Sequence, residues 1–310
     1  MRNTFAEAIC EISFANKNLF LLYGDIGNKL FDKFKQQNPK NFANAGVAEA
    51  SMVGIASGLT RSGFIPIVYT INSFLSLKAI EQIKLDICYQ NLPVILVGTG
   101  SALSYAELGT THHSLEDFAI LSCIPNLQVI APSDPIELRA CLSWAIQSRK
   151  PTYIRIGKKG ETNIHEAEIN SRSDFFGPFL LSKNLGSQNA LVSVGTVSAE
   201  AQLAVQELRE QRQKFDHILF PQVSPPNIDA MVEILRKYRA IWVIEEHVRN
   251  GGMLTQFLHA GQENQLLSPR IYGINAGRTF YKGLGGLSEA RKSIGLDNKS
   301  IVQRILSELI

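Results

Sequence analysis

Residues 66–97 read PIVYTINSFLSLKAIEQIKLDICYQNLPVILV, and the fold class follows from that stretch. It opens and closes on short apolar runs at 66–69 and 94–97, and residues 74–89 between them carry apolar side chains at helical spacing. A strand without polar alternation is covered on both faces, and two such strands joined by a helix form a parallel pair. Working outward, the same unit recurs. Residues 19–23, 128–131 and 152–156 complete five strand candidates, with further helices expected at 5–14, 48–61, 115–123 and 135–147. The expected class is α/β, a doubly wound and mostly parallel sheet over residues 1–160.

The pattern breaks at Gly157. From there to Phe176 the chain is rich in Lys, Glu, Asn and Ser and lacks an apolar run, so 161–177 is expected as a linker. Strand candidates then resume at 190–194, 217–220, 240–244 and 270–274, with helices at 199–212, 228–238, 253–260 and 301–309. Residues 178–310 are thus expected to form a second, smaller α/β domain. A chain of 310 residues, 45% hydrophobic, has the length and the apolar material for two cores.

The charge balance excludes some partners. With 31 Lys and Arg against 28 Asp and Glu, and no basic stripe, the chain shows no nucleic-acid footprint; Lys158-Lys159 is too short to be one. No window approaches 18 uninterrupted apolar residues, so no membrane span is expected. The N-terminal segment is amphipathic and reads as a first helix rather than a signal peptide. Cys10, Cys88, Cys123 and Cys141 lie far apart among aliphatic residues, as small buried hydrophobes do in a reducing compartment. A cytoplasmic protein is expected.

Two features could carry chemistry. Glu49 opens an Ala- and Gly-rich helix, where a carboxylate in the first turn is stabilised by the helix dipole. Its neighbours Val47, Ala48, Ala50 and Met52 promise an apolar surrounding that would raise a carboxyl pKa. The second is Gly109-Thr-Thr-His-His-Ser114, a loop after a strand, at the sheet end where open α/β folds bind ligands. Neighbouring histidines point different ways, so a shared metal is not expected; one of them could instead cap the following helix. Neither GxGxxG nor GxxxxGK[ST] occurs; Gly24-Asp-Ile-Gly27 is too sparse to cradle a diphosphate, and Gly283, Gly285 and Gly286 read as a turn.

Taken in order, these pieces resemble the C-terminal half of transketolase over essentially the whole chain. The resemblance rests on residues 46–59 around Glu49, on Phe74 with Ala79 and Glu81-Gln82-Ile83, and on Gly109-Thr-Thr-His112. It continues through 124–134 and through 243–252 in the second half. It implies that Glu49 bonds the aminopyrimidine ring of thiamine diphosphate and shares a proton with it, favouring the imino tautomer whose nitrogen activates the thiazolium carbon. It further implies that Phe74 stacks on the pyrimidine, that Asp25 and Ile26 lie on the thiazolium side, and that Ile71 replaces an aromatic neighbour. His112 would face the substrate, and Arg2, Lys29 and Lys158 would bind it, Arg2 and Lys158 at the sugar phosphate. Lys158 stands where many relatives carry Arg, and an ammonium lacks the forked two-bond grip of a guanidinium.

Two departures concern substrate choice. Leu108 stands where pentose-phosphate relatives carry an acidic residue, and Gly100 where a further substrate-facing histidine is expected. The resemblance also implies what lies on another chain. The diphosphate and Mg²⁺ belong to a domain carrying Gly-Asp-Gly, a triplet absent from these 310 residues. A separate N-terminal subunit is therefore expected, together with self-association about a two-fold axis and small sugar substrates. The second domain is expected mainly to pack the dimer. Two other readings stay open: the beta subunit of a 2-oxoacid dehydrogenase, which has a similar length and glutamate, and a non-catalytic partner subunit.

Overall fold

The computed structural model describes residues 1–27, 29–169, 174–266 and 269–309. Among them, β1 (Leu19–Tyr23), β2 (Phe42–Asn44), β3 (Ile65–Ile71), β4 (Ile95–Thr99), β5 (Gln128–Ile130) and β6 (Thr152–Ile156) form one parallel sheet in the order 5-6-4-3-1-2. All seven residues of β3 are buried, as a strand with both faces covered requires. On one face lie α1 (Arg2–Ala15) and α6 (Pro135–Ser148), with Phe5, Ile9, Leu138 and Leu142 in the core; α2 (Asp32–Gln37) packs beside α1. The other face holds α3 (Glu49–Arg61), the helical stretch from Phe74 to Cys88, and α5 (Asp117–Ser122). Helix α6 begins sharply because Asp134 accepts from Glu137 N at 2.7 Å and Pro135 sits at its first position.

The second sheet has the order 12-11-8-9-7, built from β7 (Phe179–Ser182), β8 (Asn189–Val194), β9 (Phe215–Leu219), β11 (Ala240–Glu245) and β12 (Arg270–Ile274). It is parallel except at β7, which runs against β9. Helices α7 (Ser198–Glu210) and α11 (Asn298–Glu308) cover one face around Trp242. Helices α8 (Ile228–Lys237) and α9 (Met253–Glu263) cover the other and share a continuous apolar core with the first sheet; α10 (Leu287–Ser293) lies against residues 102–115. The protein is two α/β domains, as the alternating pattern predicts.

Several details differ from the sequence reading. The helix expected at 74–89 carries π-type turns at Phe74–Lys78 and Ile83–Cys88 around a short α4 (Ile80–Gln82); such turns widen the helix and recur at functional sites. Strand β10 (Gln222–Ser224) leaves the second half of the chain and pairs antiparallel with β5 on the edge of the first sheet. Helix α5 starts at Asp117 behind Glu116, so neither histidine caps it. Cys123 is exposed, whereas Cys10, Cys88 and Cys141 are buried; all four are free. No described helix is long and apolar enough to cross a membrane.

Candidate active site

Four neighbouring strands of the first sheet, β6, β4, β3 and β1, deliver their carboxyl ends to one edge. The segments leaving that edge carry most of the candidate residues: Asp25 and Ile26 after β1, Ile71 and Phe74 at and after β3, His112 after β4, and Lys158 after β6. Glu49, the first residue of α3, closes the row. Open α/β sheets bind ligands at such an edge.

Glu49 is 5% exposed. Of the apolar neighbours expected around it, Met52 is buried but Val47 is 83% exposed, and the carboxylate faces Thr70 of β3. Among the described residues its carboxylate has two contacts, both long. Thr70 Oγ1 donates to Oε1 at 3.4 Å, and Lys78 Nζ stands 3.9 Å from Oε2. A buried carboxylate normally takes several short donors. Glu49 keeps acceptor capacity for a ring nitrogen, which fits the aminopyrimidine. Gly24 leaves room for this pair, because a Cβ there would lie 2.9 Å from Thr70 Oγ1.

Beside Glu49, the Phe74 ring is half-buried and carries Lys78 Nζ 4.3 Å from its centroid. The His112 ring meets Phe74 edge-on at 5.1 Å and Tyr105 at 5.9 Å. The loop that presents His112 is fastened from several sides. Ser73 Oγ donates to Thr111 O at 2.8 Å, Ser114 N to Ala102 O at 3.0 Å, and Asn72 Nδ2 to Ser114 Oγ at 2.7 Å. His113 points the other way, its Nε2 3.3 Å from Ala106 O and its ring 5.8 Å from Tyr281 of the second domain.

Loss of solvent, then the charge of His113 and of Lys78, hold His112 below its ordinary pKa of 6.5. The imidazole is therefore mostly neutral at pH 7 and able to accept a proton. Replacing Lys78 with Met is expected to move the His112 midpoint upward, since a nearby cation disfavours the charged ring. Histidine ring shifts followed by NMR across pH check this, and an unmoved midpoint would show that Lys78 is not felt there.

The remaining candidates extend the same wall. Lys158 Nζ lies 4.4 Å from the Tyr105 ring centroid. It shares a cleft of about 200 Å³ with Arg2, Asn3 and Lys159. Arg2 in turn shares a cleft of about 500 Å³ with Lys29, Lys33 and Glu7, and its Nε is buried without a partner among the described residues. Asp25 is exposed, anchored by its N–H to Gly46 O at 3.1 Å. Ile26 is partly buried against the core behind, and Ile71 is buried at the end of β3. Among the described residues no group of three His, Cys, Asp or Glu is placed to hold a metal ion.

Residues 1–161 match the family described as transketolase, pyrimidine binding domain. The chain belongs to that family. This transketolase-family chain is 32% identical over 275 residues to one subunit of the apulose-4-phosphate transketolase of Actinobacillus succinogenes, covering 88% of this chain and 86% of that protein. It is 29% identical to the putative transketolase C-terminal section of Methanocaldococcus jannaschii, covering 100% and 96%. Its fold superposes on a split gene transketolase, an inactive beta4 tetramer, with a TM-score of 0.84 at 23% identity, covering 99% of this chain and 96% of that one.

Gly100 has φ +83°, and a Cβ there would overlap the Tyr105 ring, so the aromatic five residues later leaves no room for a side chain at position 100. Leu108 is half exposed at the end of the turn Ala106–Leu108, and the acidic residue of that turn is Glu107, paired with Lys158. Thr70, Lys78, Tyr105 and Glu107 do not stand out in the sequence as candidates. Thr70 alone leaves a signal there, a polar residue inside an otherwise apolar strand.

Proposed function

We propose that this chain is the C-terminal, beta-type subunit of a split transketolase that moves a two-carbon ketol unit between sugar phosphates or related sugars. The observation that carries the reading is Glu49: a buried carboxylate with two long contacts, set beside the Phe74 ring and the neutral His112 on one sheet edge. Thiamine diphosphate, when bound, supplies the carbon nucleophile for ketol transfer. The residues of this chain hold the ring and handle protons. Glu49 accepts and shares a proton at its carboxylate, Phe74 offers a stacking face, and Asp25, Ile26 and Ile71 border the ring. His112 accepts or donates a proton at the substrate, and Arg2, Lys29 and Lys158 meet its far end.

Diphosphate and Mg²⁺ binding fall to a separate N-terminal subunit, and the active unit is a two-plus-two assembly in the cytoplasm. The Actinobacillus relative is one subunit of its transketolase, and the split-gene structure is an inactive beta4 state. Both are consistent with a half-site that needs its partner. The test is reconstitution. Mixed with an N-terminal subunit carrying Gly-Asp-Gly, the pair is expected to bind thiamine diphosphate and to transfer ketol groups without any oxidant. A pair that instead needs a lipoyl acyltransferase would be a 2-oxoacid dehydrogenase, and one that takes up no coenzyme would end the enzyme reading.

A further inference from the structure

Of the cations on the substrate wall, Lys158 is already engaged. Its ammonium is hydrogen-bonded to the Glu107 carboxylate and lies over the Tyr105 ring. The bond is felt by the acid, because Lys158 holds Glu107 below the ordinary carboxylate range. Tyr105 cannot swing away freely, since it is 8% exposed and fills the space above Gly100 beside His112. The ammonium is thereby held between a ring and a carboxylate at the mouth of the cleft it shares with Arg2, Asn3 and Lys159.

An incoming phosphate dianion meets this arrangement at a disadvantage. It must take Lys158 from Glu107, and it approaches a carboxylate of its own sign. An uncharged hydroxylated terminus meets no such conflict: the carboxylate accepts a hydroxyl proton, the ammonium donates, and the tyrosine offers an apolar face to the sugar's C–H groups. We infer that Glu107 is a specificity-determining residue, set to weaken the grip of Lys158 on phosphate so that sugars lacking a terminal phosphate compete for the site. This deepens the transketolase reading and rests on it for the identity of the substrate, but its test needs neither coenzyme nor partner.

The full chain, its Glu107→Gln variant and a Glu107→Gln/Lys158→Met double variant are titrated with ribose 5-phosphate and with ribose by ligand-observed NMR. Glu107 lies exposed on a surface turn, and thermal midpoints confirm that each variant folds; Glu107→Asn stands in should the Gln variant fail. Losing an exposed ion-pair competitor is worth a factor of about five at most. The expected result is ribose 5-phosphate binding about two- to five-fold tighter in Glu107→Gln, no tighter for ribose, with the gain lost in the double variant. Equal affinity in parent and Glu107→Gln, absence of binding in both, or a gain that survives removal of Lys158 would each overturn the inference. Failure of reconstitution with thiamine diphosphate, read separately on the parent, would instead count against the enzyme reading.

Discussion

Glu49→Gln, assembled with the diphosphate-binding subunit, is expected to lower kcat by about 100- to 10,000-fold while the chain stays folded. Glutamine keeps the volume of the side chain and can still accept from Thr70 Oγ1, so the buried start of α3 has no reason to open. What it loses is the negative charge and the ability to hold a shared proton. The loss corresponds to about 3 to 5 kcal/mol of transition-state stabilisation, more than a neutral hydrogen bond contributes to binding. The effect should fall on kcat more than on KM for the sugar, because the proposed function gives Glu49 to the coenzyme and Arg2 and Lys158 to the substrate. Steady-state kinetics on the reconstituted pair, with circular dichroism as the control on folding, make the measurement. Turnover equal to the parent's would leave the chain as a non-catalytic partner subunit.

The layers of the fold were legible because burial on both faces leaves its mark in composition. Strand β3 and its neighbours are continuous apolar runs, and no other arrangement explains them alternating with amphipathic helices. Strand β10 was not legible. Three residues flanked by prolines carry no period, and their pairing with β5 depends on where the second half of the chain comes to rest. The same division runs through the site. Glu49 and His112 stand out locally, one as a charge at the head of an apolar helix, the other in a Gly/Thr loop. Tyr105 and Glu107 gain their meaning only from Gly100 and Lys158, which belong to strand ends brought together by the sheet. The second domain likewise showed no site residues in sequence, yet Tyr281, Glu246 and His247 press on the segments that hold His112.

That buttress leads to the second large effect: Asp117→Ala is expected to destabilise the chain by about 3 to 5 kcal/mol. Asp117 is fully buried at the head of α5 and serves four donors. Its Oδ1 takes Arg155 Nη1 at 3.1 Å and Phe118 N at 2.9 Å, and its Oδ2 takes Asn72 Nδ2 at 2.8 Å and Tyr153 OH at 2.6 Å. Arg155 is equally buried, stacks on Phe118 at 4.3 Å, and also donates to Glu246 O at 2.8 Å in the second domain. Truncating Asp117 strands a guanidinium in the interior, and an uncompensated buried charge costs more than the intact pair contributed. Asp117→Asn retains an acceptor oxygen but no charge, so its loss should fall between parent and Ala. Urea denaturation of the three chains at one pH measures the series. Because Asn72 also holds Ser114, the Ala variant should loosen the His112 loop, visible as faster amide exchange at residues 109–114 than at the far end of the sheet. A loss below about 1 kcal/mol would mean that water enters and solvates Arg155.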